Sequence, residues 1–160
     1  MPPEPDAAFH KRMAAEFFNE TWTLLEKPHR TIEEDALMIH LAHASRAHWQ
    51  YAGVAENFAI GEWQVSRVHA VLGQSEPALY HGRRALDIAQ ENALGPFHIA
   101  CGHEAIARAL ASNHPETALE HIAAARALAA QLTDPEEKQT IENDLASVPV
   151  GQNPPKSATA

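Results

Sequence analysis

Apolar positions recur every three to four residues along nearly the whole chain, and short polar or Pro- and Gly-containing joints interrupt them. Phe9, Met13, Phe17, Leu24 and Leu25 set a first apolar face and predict a helix over about 7–27. The stretch "KPHR" breaks it. In "TIEE", Thr31 and Glu34 have the spacing of a capping box, so a second helix starts there and runs to about Tyr51, ending near Gly53. A third helix over about 55–72 stops at Gly73. Ser75 as N-cap and Pro77 in the first turn open a fourth, which ends near Gly95 and Pro96. The fifth spans about 97–112, the sixth takes Asn113 as its cap, and the seventh starts at Thr133 or Asp134. Residues 1–6, rich in Pro and acid, are expected to fray, and the Pro- and small-residue-rich 149–160 to be disordered. One all-α domain over 7–148 remains.

Two stretches repeat one another. "WQVSRVHAVLGQSEPALYHGRRALDIA" and "HEAIARALASNHPETALEHIAAARALA" share the order helix, polar turn with Pro, then AL-x-H-x-x-x-x-AL. Ala78 matches Ala118 and His81 matches His121, an offset of 40 residues. Ser66, Ala78 and Ala85 supply small residues where helices cross. On these residues the chain resembles the tetratricopeptide repeat (TPR), well over about 55–131 and loosely over about 7–52. It departs from that pattern at Gly82, where a large aromatic is usual, and in a period longer than the standard of about 34. The stretch "NETWTLLEKPHRTIEE" with "AHASRAHW" is also similar to a group of bacterial TPR-like proteins and implies no activity. The resemblance implies antiparallel helical hairpins stacked as a short superhelix of about seven helices, with a concave face that binds a peptide or partner.

Composition narrows the partners. The chain has 160 residues and a net charge of −9, so phosphate backbones are repelled and nucleic acid is not expected. No run of about eighteen apolar residues occurs, and no basic-then-apolar leader pattern is visible, so neither a membrane span nor a signal peptide is expected. The single Cys101 excludes an internal disulfide and fits a cytoplasmic setting. No Gly-rich phosphate loop and no G-x-S-x-G elbow is present, which removes support for nucleotide-cofactor and hydrolase chemistry. The reading therefore leans away from an enzyme.

Candidate chemistry lies on the inner helices, which carry few charges. In the TPR register Trp63, Arg67, Glu104 and Arg108 share the concave side, with Asn19 or Trp22 added from the first helix. Together with Arg46 and Glu62 they form the candidate ligand site. Surplus guanidinium beside an aromatic suits a peptide or a small anionic ligand. The competing reading is a set of structural ion pairs, Glu104 with Arg108 and Glu62 with Arg46. Eleven histidines are unusual for this length. His40 and His43, three apart on one face, are the candidate metal pair, with Glu62 or Glu104 to complete a set around a divalent transition metal. This supports the alternative of a small metal- or His/Glu-dependent enzyme or sensor. His48 and Arg46 point elsewhere on the same helix. His10, His29, His81, His98, His114 and His121 have no expected role. A homodimer through an apolar edge is a third expectation.

Overall fold

The computed structural model describes residues 6–152 and consists of seven α-helices, with no strand among the described residues. They are α1 (Ala7–Leu25), α2 (Ile32–Ala52), α3 (Ala55–Val71), α4 (Ser75–Glu91), α5 (Pro96–Leu110), α6 (Pro115–Ala129) and α7 (Pro135–Ala146). Each helix packs on its sequence neighbours, so the chain runs up and down as successive antiparallel pairs. Contacts also link α1 with α3, α3 with α5 and α5 with α7, so the odd-numbered helices form one continuous layer. The even-numbered helices pack on that layer and stay apart from one another: no Cα of α2 comes within 8 Å of one in α4. Among the described residues, no helix is long and apolar enough to cross a membrane.

Local chemistry sets the helix ends. The Thr31 hydroxyl accepts from Glu34 N–H at 3.2 Å and Glu34 accepts from Thr31 N–H at 2.9 Å, the reciprocal box that the spacing predicts. Asp134 caps α7 by accepting from Glu136 and Glu137 N–H. Ser75 is the first residue of α4 and not its cap, and Gln74 takes the cap position without a side-chain bond. Pro96 opens α5, where its missing N–H costs nothing, and does not close α4. His114, not Asn113, precedes α6, with Pro115 at its first position. Asp6 belongs to the folded part: its carboxylate accepts from Phe9 N–H at 2.8 Å and caps α1. At the other end 149–152 form a turn in which Gly151 N–H donates to Ala111 O at 3.1 Å, and Val150 packs on the core. Residues 1–5 and 153–160, also read as frayed or disordered from the sequence, lie outside the described residues.

Small residues set the layer spacing. Ala78, Ala85, Ala100, Ala107, Ala118 and Ala125 are fully buried at helix crossings. Gly82 of α4 faces the backbone of α5 so closely that a Cβ there would lie 3.1 Å from Ile106 N. A Cβ on Gly102 would lie 2.7 Å from Leu86 Cα. A large side chain at Gly82 has no room because α4 and α5 nearly touch there.

Candidate metal centre

Each charged residue of the inner helices discussed above, from Arg46 to Arg108, has a partner within the chain. Glu104 of α5 is 1% exposed. It accepts from Trp63 Nε1 at 2.7 Å, Arg108 Nε at 2.7 Å and Arg67 Nη2 at 3.1 Å. Arg67 also donates to Asp144 of α7 at 2.9 Å, and Arg108 donates to Asp144 O and Ser147 Oγ. The Arg67 guanidinium lies over the Trp22 and Trp63 rings, 5.8 and 5.2 Å from their centroids. Trp63, Arg67, Glu104 and Arg108 therefore do converge, and α7 fills the space beside them. Burial favours the protonated form of Glu104, but Arg67 and Arg108 outweigh it and hold the carboxyl below its ordinary range. Asp144 goes the other way: burial and the charge of Glu104 raise it against the pull of Arg67. An added anion would have to displace Asp144. Among the described residues, two buried polar atoms lack a hydrogen-bond partner, Gln64 Oε1 and Arg67 Nε.

Arg46 and Glu62 form a separate pair, Nε to Oε1 at 3.0 Å, between α2 and α3. The second oxygen of Glu62 faces His81 of α4: His81 Nδ1–H donates to Glu62 Oε2 at 2.7 Å. Burial alone would raise the Glu62 pKa, but the hydrogen bond and charge of His81 and the charge of Arg46 bring it down, so it is a carboxylate. With Nδ1–H directed to Glu62, a neutral His81 carries its lone pair on Nε2, the nitrogen left for a metal. His69 of α3 is oriented the same way, since its Nδ1–H donates to Gln74 Oε1 at 2.6 Å. His43 of α2 completes a triad, with its Nε2 3.4 Å from His69 Nε2. One ring nitrogen from each of the three lies within 4.8 Å of the other two. The triad grades from buried His69 through half-buried His81 to exposed His43.

The geometry suits a metal ion. A tetrahedral ion with metal–nitrogen bonds of about 2.0–2.1 Å separates its ligand nitrogens by about 3.3 Å. The His43–His69 separation matches that edge, and the His81 nitrogen lies within 4.8 Å of both. Burial holds His43 and His69 below the ordinary imidazole value, and neighbouring histidines push in the same direction, so both offer lone pairs at neutral pH. Glu62 behind His81 and Gln74 behind His69 are the outer hydrogen bonds that fix the tautomer of metal-binding histidines.

His43 of the sequence-predicted pair belongs to this cluster. His40 does not: it is exposed, one turn away on α2. Glu62 supports the cluster from behind, and Glu104 is committed to the arginines. His69 and His81 were missed because they sit on other helices. Two more histidines without an expected role also find partners. His10 meets His48 with Nδ1···Nδ1 at 2.9 Å, and His121 meets His103 at 2.8 Å. Cys101 is buried, and burial together with the Glu104 charge pushes its thiol pKa well up, so it is a protonated, inert side chain. No protein-family model, curated protein or solved structure matches the chain.

Proposed function

We propose that the chain is a TPR-like stack of helical hairpins that binds one divalent transition-metal ion on His43, His69 and His81. The observation that carries this is the convergence of three imidazole nitrogens, with His81 and His69 anchored through Nδ1 by Glu62 and Gln74. Three imidazole nitrogen donors suit zinc, copper, nickel, cobalt or ferrous iron, and do not suit calcium or magnesium. Three protein ligands leave a fourth position open, and exposed His43 puts it on the solvent side. A closed structural site would have four protein ligands. The open position fits a sensor or a small metal-dependent enzyme, in which an exogenous ligand completes the coordination.

The anion-binding alternative at Trp63, Arg67 and Arg108 has less support. Apart from Arg67 Nε, their polar groups are engaged by Glu104, Asp144 and Ser147.

Titration of tag-free protein with zinc, nickel and copper, followed by calorimetry, tests the reading. One ion should bind per chain, and His43→Ala, at an exposed position, should abolish or strongly weaken binding with the helical signal unchanged. His103→Ala should bind as well as the parent. Binding unchanged by His43→Ala, or lost equally in both variants, removes the proposal.

A further inference from the structure

A second concavity lies away from the histidines, between α1, the last turns of α2 and the N-terminal halves of α3 and α5. Its volume is about 310 Å³. Phe18, Trp49 and Ile60 give it apolar walls, and Asn19, Asn57, Glu56 and His98 line it with polar groups. Such a volume is at the small end of ligand pockets. It has room for one ring and a short chain.

We propose that this groove binds a small organic cation with a flat apolar body, of the arylalkylammonium class. Aromatic walls supply the contact for the body, and the face of Trp49 also favours a cation. Glu56 supplies the charge. It lies in the first turn of α3 and, among the described residues, makes no ion pair or hydrogen bond. No Lys or Arg lines the groove. His98, which also lines the groove, feels both Glu56 and Glu137 of α7, yet burial outweighs them and keeps it below the ordinary imidazole value. The local field at neutral pH is thus negative. A carboxylate ligand would be repelled, and a neutral one would gain only the walls. Asn57 is held by the helix cap, its Oδ1 accepting from Val54 N–H at 3.0 Å, so this part of the rim is rigid.

The test uses the full chain and three probes of one skeleton: phenethylammonium, 2-phenylethanol and 3-phenylpropionate. Amide and indole NMR shifts locate binding. Phenethylammonium should shift the Trp49 indole and the amides of Glu56, Asn57 and His98. It should bind about three- to fivefold more tightly than the alcohol, with the carboxylate weakest. Glu56→Gln should remove that charge preference and leave the fold intact. His43→Ala should bind the probe as the parent does, which separates this site from the metal reading. Shifts elsewhere on the molecule, no shifts, or equal binding of 3-phenylpropionate overturns the proposal.

Discussion

Glu62 shows how one side chain can serve two neighbours. Its carboxylate joins Arg46 of α2 to His81 of α4, so it holds a tautomer as well as an ion pair. Glu62→Gln should keep the fold but weaken metal binding about tenfold, the effect expected when the outer partner of a ligand is lost; calorimetry on the variant reads it directly. Glu104 is the opposite case. All its contacts are internal, and it is buried beneath two arginines. Glu104→Ala leaves both guanidiniums without their shared acceptor and should cost about 3–5 kcal/mol in urea unfolding. Metal affinity per folded molecule should not change, because the two clusters share no hydrogen bond. The Glu104 set was legible in the sequence because Trp63 and Arg67 fall one turn apart, as do Glu104 and Arg108. Helical geometry then puts each pair on one stripe. The expected metal pair of His40 and His43 is divided: His43 joins the triad and His40 stays outside it. Two residues on one exposed face share a direction, but no other helix packs over His40.

At the scale of elements, the joints decide which side chains face each other. His69 lies six residues before Ser75 and His81 six residues after it, and antiparallel helices joined by a short turn bring such positions level. The same symmetry holds for His103 and His121 about Ser112, and for His10 and His48 about His29. That symmetry was the available signal for the missed histidines. It is read across a hairpin rather than along one helix. The α4–α5 crossing is set by Gly82 and Gly102. Gly102→Ala drives a methyl into the Leu86 backbone, which cannot rotate away, and should destabilise the fold by about 1–3 kcal/mol, seen as a lower urea midpoint. Helix starts were read well where a side chain caps the backbone, as at Thr31 and Asp134. They were read one residue off at α4 and α6, where Gln74 and His114 occupy the cap positions without a side-chain bond.

For the whole molecule, the cross-hairpin pairs link stability to pH. Burial holds His103 and His121 below the ordinary imidazole value, His121 adding to the effect on His103 and Arg83 to that on His121 against the opposing pull of Glu120. The unfolded chain binds their protons more readily than the folded one, so the stability they confer is complete above about pH 6.5 and is lost as pH falls below it. Urea midpoints of the apo protein should drop between pH 7 and pH 5, and less so in His121→Gln; an equal drop in both would assign the loss to other groups. The sequence by itself determined the helices, their order and their apolar faces, because periodicity and caps are local properties of the chain. It also pointed to Arg67, Glu104 and Arg108 sharing one side, since a small residue, Ala107, is needed where the helices cross and that choice sets the register of α5. Only the tertiary structure decided that α7 fills the space beside them, because docking a terminal helix depends on the shape left by the helices before it. Only packing decided the histidine triad as well: α2 and α4 do not approach through their backbones, and α3 between them sets the distance their imidazoles must span.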